Sequence, residues 1–346
     1  MLVIHLLHSN KYSGAENVVC QIIDMFNTST DIQMIYCCPE GPIRYALEER
    51  NVKYVAIKEL SVKEVKKVLK QYNPDIIHAH DMRASFIASL ANNKAKLISH
   101  IHNNNFDSRG ISVKAIAYMY AAFKAKNIIW VSDSSYAGYV FHKLFSRKSE
   151  VLYNIINITS LYDKVKLDKS EYDYDIVYLG RLTVQKNPIR LMNVLKRIIE
   201  NNSEIKIAII GAGDLDDETR IEAKKLNIEN QVKFFGFCNN PYKILKDSKL
   251  MMMTSLWEGT PMCVLEAMSL GVPVVSTPTD GIKVVVEHQK TGLLSDNDEE
   301  LAEYCLRIIG DNEYRKELSI NSIDRANKLM NIELYRNRIK EIYTNK

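Results

Sequence analysis

The sequence predicts two doubly wound α/β domains, each a parallel sheet with helices on both faces. Strand-like and helix-like segments alternate along the whole chain, and several strands are continuous apolar runs such as Ile207-Ala208-Ile209-Ile210. A length of 346 residues is too much for one ordinary core and comfortable for two. Strands covered on both faces need no polar alternation, and repeated strand–helix units close into parallel sheets through right-handed crossovers.

In the first half, strand-like stretches fall at 2–7, 32–37, 53–57, 75–79, 97–101, 128–131 and 150–153, and helical patterns at 14–26, 61–71, 82–92 and 133–145. The second half repeats the scheme, with strands at 175–179, 206–210, 232–235, 249–254, 272–276 and 292–294. A first domain is therefore expected over 1–163, a polar, charge-rich linker over 164–174 and a second domain over 175–330. Residues 331–346 read as a terminal helix, for which a return to the first domain is one open arrangement. Ligands of such sheets bind beyond the carboxyl ends of the strands, so two domains facing each other predict a cleft.

Hydrophobic residues at 46% and charged residues at 25% exclude disorder and fibrous repeats. The most apolar stretch, 111–131, is broken by Lys114, Lys124 and Lys126 and does not read as a membrane span. The opening Met1-Leu2-Val3-Ile4 lacks a basic region and a cleavage site, so it reads as a strand and the chain is expected to be cytoplasmic. Six cysteines without C-x-x-C spacing are expected to be packing residues, with no metal or disulfide role.

The net charge of +4 is unevenly shared: residues 1–160 hold 19 Lys+Arg against 13 Asp+Glu, and the remainder 27 against 29. A basic first half suits a phosphorylated acceptor or a lipid surface, with ordinary surface lysine as the plain alternative; nucleic acid is not an expected partner. The helix 61–72 sets Val62, Val65, Leu69 and Tyr72 on one side and lysines on the other. Its plain reading is a solvated helix packed by its apolar side; its functional reading is peripheral contact with an anionic membrane at the inner face.

The most informative segment is Ser255-Leu-Trp-Glu258-Gly259-Thr260-Pro261-Met262, continuing through Glu266 to Gly271. Thr260 reads as an N-cap and Pro261 as the first helical residue, which aims unpaired N–H groups at a strand end and favours an anion there. Glu258 precedes that terminus and Glu266 lies inside the helix, so both can reach one extended ligand; alone, each could be a surface acid. The device recurs in Gly180-Arg181-Leu-Thr-Val-Gln-Lys186-Asn187-Pro188, with Asn187 as N-cap.

A third loop, His8 to Glu16, gives Ser13 and Glu16 capping-box spacing, and Gly14 would let the backbone approach a phosphate. Gly211-Ala-Gly213 lacks the third glycine of a dinucleotide fingerprint, since Asp216 stands there. His78 and His80, then His100 and His102, form two strand-end pairs that are either structural or aimed into the cleft. His102 is the better candidate because the polar Asn103-Asn104-Asn105 follows it.

Together these residues closely resemble glycosyltransferase family 4 (glycosyl transferases group 1), retaining enzymes of the GT-B fold with two Rossmann-like domains. The landmarks are Gly14-Ala-Glu16, Pro74-Asp-Ile-Ile-His78-Ala-His80, Ser132, Gly180-Arg181 with Lys186-Asn187, Gly211-Ala-Gly213, Phe235-Gly236, the Glu258–Glu266 pair, Gly271-Val-Pro and Thr291-Gly-Leu-Leu. The resemblance implies a nucleotide-sugar donor, with UDP-sugars the default, and a sugar or lipid-linked glycan acceptor of polysaccharide or glycoconjugate synthesis.

It implies that Arg181 and Lys186 bind the diphosphate and that Glu266 binds the ribose. Glu258 and the amides of Gly259, Thr260, Pro261 and Met262 would hold the sugar, with His102 at the reaction centre and Gly14 and Gly211 near the donor. No cofactor or metal is implied. Asn154-Ile-Ile-Asn157 departs from the usual pattern, so the resemblance assigns Asn154 no role, and Asp280-Gly281-Ile-Lys283 departs from it near the donor sugar, which leaves the sugar open. A sugar-nucleotide epimerase of the same fold and a non-catalytic nucleotide-sugar-binding subunit are the alternatives.

Overall fold

Thirteen strands form in the computed structural model, which describes residues 1–92, 94–102 and 108–345, and each lies within two residues of its expected bounds. The chain divides into two units, Met1–Ile155 with Ile332–Lys346, and Ile156–Asn331. In the first unit the strands are β1 (Leu2–Leu6), β2 (Gln33–Pro39), β3 (Tyr54–Ile57), β4 (Ile76–His80), β5 (Lys96–Ile101), β6 (Asn127–Trp130) and β7 (Ser149–Val151). They pair in parallel in the order β3-β2-β1-β4-β5-β6-β7. In the second, β8 (Ile176–Leu179), β9 (Ile207–Ile210), β10 (Val232–Gly236), β11 (Leu250–Met253), β12 (Val274–Ser276) and β13 (Gly292–Leu294) take the order β10-β9-β8-β11-β12-β13.

Each order reverses direction once, between β1 and β4 and between β8 and β11. The loops leaving these strand pairs diverge to opposite sides, and this opens a crevice at the carboxyl edge. The apolar runs become fully buried strands, as in Leu250-Met251-Met252-Met253. Cys20, Cys37, Cys38 and Cys305 are buried and not disulfide-bonded, and burial pushes Cys37 up to about 12, so they act as apolar filling.

Two expectations change. The 133–145 helix is split: α6 (Asp133–Ala137) stops at Gly138, and a 3-10 stretch follows over His142–Lys148. Between them Tyr139 turns inward, its hydroxyl donating to the Ala115 carbonyl at 3.0 Å. The linker expected over 164–174 is displaced, because the chain passes between units at Ile155–Ile156. α7 (Ile158–Leu167), capped by Asn157, buries Leu161 and Val165 in the second unit, and Tyr162 donates to the Ser269 carbonyl at 3.2 Å. The alternating charges read as linker are in part this helix's solvent face, where Lys166 pairs with Asp163.

α3 (Val62–Tyr72) follows its plain reading, a helix packed by its apolar side. Val65 and Val68 are buried, and Val62, Leu69 and Tyr72 pack against the same core, so the apolar side is used up within the unit. The terminal helix α15 (Ile332–Thr344) belongs to the first unit: Arg336 donates to the Met25 carbonyl at 2.8 Å and Lys96 to that of Ile342 at 2.5 Å.

Candidate functional site

In the second unit the switch point is lined by the two loops singled out in the sequence. After β8 the chain is folded back by bonds from the Gly180 amide to the Ile210 carbonyl (3.0 Å) and from the Leu182 amide to that of Ala212 (3.2 Å). A 3-10 turn, Val184–Lys186, ends at Asn187, which is left-handed (φ 50°, ψ 57°), a conformation asparagine tolerates better than most side chains. Pro188 then starts α8 (Pro188–Asn201). The loop after β11 is stitched to this turn: the Leu256 amide donates to the Gln185 carbonyl (2.8 Å), Gln185 to that of Trp257 (3.0 Å), and Thr254 to that of Asn187 (2.9 Å).

The turn brings Lys186 inside, where its Nζ donates to Glu258 Oε1 at 2.6 Å; the side chains are 10% and 5% exposed. Burial pulls the lysine's pKa down, but the adjacent carboxylate outweighs it and the net shift is upward, so the ammonium is held charged. Arg181 is exposed and makes no ion pair among the described residues; its carbonyl accepts the Tyr178 hydroxyl at 2.8 Å.

α11 (Met262–Ser269) begins one residue later than expected. Pro261, not Thr260, is the N-cap, because its carbonyl accepts the first helical amides, Val264 at 3.1 Å and Leu265 at 3.2 Å. No side chain caps this helix or α8; Asn187 is the N-cap there, but its side chain makes no capping hydrogen bond. Glu266 is buried and accepts from the hydroxyl of Tyr242, which opens α10 (Tyr242–Asp247), at 3.1 Å. Two glycines explain how the loops fit. A Cβ at Gly281 would stand 1.5 Å from the Gly259 carbonyl oxygen, so the start of α12 (Asp280–Val285) lies directly on the Glu258–Gly259 backbone. A Cβ at Gly211, where φ is +139°, would stand 1.9 Å from the Gly180 carbonyl. Gly211 therefore has a packing reason of its own beside the expected one.

In the first unit Gly14 opens α1 (Gly14–Met25). The capping box expected there does not form: the Ser13 hydroxyl donates to the Glu16 carboxylate instead of accepting a backbone amide. The histidine pairs converge, joined by a fifth ring that the sequence reading missed. His5, His78, His80, His100 and His102 are all buried on one sheet face, with His5 opposite His78 and His80 opposite His100 in register. His5 carried one signal, a lone polar residue inside an apolar strand; that β1 pairs with β4 could not be read locally.

The rings form a chain: His102 Nε2 to His80 Nδ1 at 2.8 Å, His80 Nε2 to His5 Nδ1 at 3.0 Å, and His5 Nε2 to Met34 Sδ at 3.4 Å. A thioether can only accept, which sets the direction of donation. Each Nε2 then carries the proton, and His102 keeps a bare lone pair on Nδ1, an atom with no partner among the described residues. Asp81, held at φ 67°, accepts the His102 backbone amide at 2.9 Å and fixes the strand end. The Asn103–Asn105 loop lies outside the described residues. Nitrogens of His5, His78 and His80, and of His80, His100 and His102, lie within 4.8 Å of one another, a grouping that sequence spacing did not suggest.

Burial pushes His5 and His102 down to about 3, so both rings are neutral when folded. Their pKa lies below the ordinary imidazole value of about 6.5, so their contribution is complete above that pH and is lost as pH falls from 6.5 towards 3. Each ring is expected to add up to about 1.4 kcal/mol of destabilisation per pH unit in that window. Urea titrations at pH 7.5 and 5.5, followed through Trp130 in a Trp257→Phe background, will measure this; an unchanged midpoint would mean that folding does not lower the pKa of these rings.

Fold and site define a two-unit α/β protein whose switch point between β8 and β11 holds a buried Lys–Glu pair beside two helix starts that no side chain caps. Glycosyltransferase Family 4 matches residues 12–160 and Glycosyl transferases group 1 matches 162–325; the chain belongs to this family of glycosyltransferases and has the GT-B fold. It is 30% identical over 236 residues to an uncharacterised glycosyltransferase of Methanocaldococcus jannaschii, a match covering 62% of this chain and 58% of that protein. It is 26% identical over 361 residues to the N-acetylgalactosamine-N,N'-diacetylbacillosaminyl-diphospho-undecaprenol 4-alpha-N-acetylgalactosaminyltransferase of Campylobacter jejuni, covering 96% of this chain and 97% of the relative. Anabaena HepE, solved in complex with UDP-glucose, superposes over 100% of both chains with a TM-score of 0.87 at 22% identity. No helix among the described residues is long and apolar enough to cross a membrane.

Proposed function

We propose that the protein is a retaining glycosyltransferase that moves a sugar from a UDP-sugar to a hydroxyl of a lipid-linked or polysaccharide acceptor. The observation that carries this reading is the buried, charged Lys186 beside two helix starts that no side chain caps. An ammonium and two helix dipoles at one switch point suit a diphosphate. Arg181, exposed on the same loop, closes on the phosphates, and Glu266 accepts from the ribose hydroxyls. Glu258, already oriented by Lys186, and the amides of Gly259 to Met262 hold the donor sugar, while Gly14 lets the first loop approach. His102 lines the reaction centre and offers Nδ1 as an acceptor to a sugar hydroxyl.

In the reaction the bond between the anomeric carbon and the diphosphate oxygen breaks while the acceptor oxygen bonds the same face of that carbon. The acceptor's proton passes to the departing phosphate oxygen, and Lys186 and Arg181 stabilise the charge that develops there. The side chains supply the neutralising charge, so no metal is required.

The activity of the Campylobacter relative and the UDP-glucose complex of HepE support the acceptor and donor classes. Calorimetry with UDP, GDP and ADP, with and without chelator, tests the assignment: UDP is expected to bind at least tenfold more tightly than the others, unaffected by chelation. Equal binding of all three, or loss on chelation, overturns it. Product analysis separates transfer from epimerisation, since only transfer joins the sugar to a second molecule and keeps its anomeric configuration.

A further inference from the structure

The helix α5 (Val113–Lys124) is apolar on its outer side as well as its inner one. Ala115, Tyr118, Ala121 and Ala122 are buried in the first unit's core. Val113, Ile116, Tyr120 and Phe123, spaced three and four apart, form a stripe on the opposite face, with Val113 85%, Phe123 62% and Ile116 48% exposed. Ile111, just ahead of the helix, and Leu144 are exposed too. A surface helix ordinarily shows polar residues to water, and a contiguous apolar face marks something that docks there.

The charge around the stripe says what docks. Residues 108–148 hold seven Lys+Arg and one acid, Asp133, which already accepts the Tyr153 hydroxyl. The positive excess of residues 1–160 is concentrated here. Lys124 lies over the Tyr120 ring and Lys148 over Phe145, which itself meets Phe123 edge-on, so the cations are held along the aromatic margin. Long basic side chains beside an apolar stripe match the depth profile of an anionic bilayer, with apolar residues at the acyl boundary and ammonium groups among the phosphates. A second copy fits poorly, because a self-complementary interface would bring these like charges together. The lysine face of α3 has no apolar side left to insert.

We propose that the outer face of α5 docks the protein on an anionic lipid bilayer, with Val113, Ile116 and Phe123 entering the acyl boundary and Lys114, Lys124 and Lys126 at headgroup level. The docking stands on this surface alone; that the same bilayer carries the acceptor rests on the proposed activity.

Co-sedimentation of the full chain with vesicles of phosphatidylcholine, with or without one third phosphatidylglycerol, tests it without turnover. Binding is expected to rise at least tenfold with the anionic lipid and to weaken in high salt. The variant Val113→Ser/Ile116→Ser/Phe123→Ser is expected to lose about a hundredfold in partitioning. Lys124→Glu/Lys126→Glu, which leaves the stripe intact, is expected to lose about tenfold or more at low salt only. Thermal melting checks that the variants fold; if the serine variant does not, Ile111→Ser/Leu144→Ser replaces it, with a loss of about tenfold expected. Wild-type binding equal on both vesicles, folded variants that bind as wild type, or a concentration-dependent dimer abolished by the serine variant in place of lipid binding would each overturn the proposal. Normal turnover on a soluble acceptor together with absent lipid binding would sink the docking and leave the activity standing; the reverse result would do the opposite.

Discussion

Replacing Lys186 with alanine is expected to lower turnover by about 10²–10³-fold, the loss typical of removing one preorganised stabiliser of transition-state charge. It is also expected to destabilise the second unit by about 3–5 kcal/mol, because Glu258 would be left in a buried site without its ion-pair partner. The two effects can be separated. Lys186→Met combined with Glu258→Gln removes both charges, so most of the stability should return while turnover stays low. Steady-state kinetics and urea unfolding on the single and double variants measure the coupling directly. If the double variant were as unstable as Lys186→Ala, the pair would not be the source of the loss; if Lys186→Ala kept normal turnover, the diphosphate assignment would fall.

Arg181→Ala should lose turnover to a similar degree, about 10²–10³-fold, and stability hardly at all. Its side chain is exposed and without an ion pair among the described residues, so truncation leaves no buried partner behind. The pair of variants therefore discriminates two ways of placing a cation. Lys186 is held in advance by its carboxylate, whereas Arg181 is drawn in only by the ligand. KM for the donor should rise for Arg181→Ala, and an unfolding midpoint displaced as far as that of Lys186→Ala would contradict the exposed position.

The strands were legible because a strand buried on both faces declares itself as an apolar run, and Pro188 marked its helix start through its fixed backbone angle. Where a cap had to be chosen between neighbours, local rules failed by one residue. Thr260 is the better capping side chain, yet the Pro261 carbonyl accepts the first helical bonds. The linker was misplaced for a related reason, since alternating charges look alike on a solvated loop and on the outer face of α7.

From its residues alone the chain determined two parallel-sheet units, the two strand-end loops that carry a pair of cations and a pair of acids, and the family to which these belong. Tertiary structure alone decided that Lys186 and Glu258 are one buried ion pair, and that Tyr242 answers Glu266. It also decided that His5, from a strand far away in sequence, completes the chain ending at His102. Periodicity and capping act over a few residues and are written locally. Which loop lies against which is set by strand order across the sheet, and that order exists only once the chain has folded.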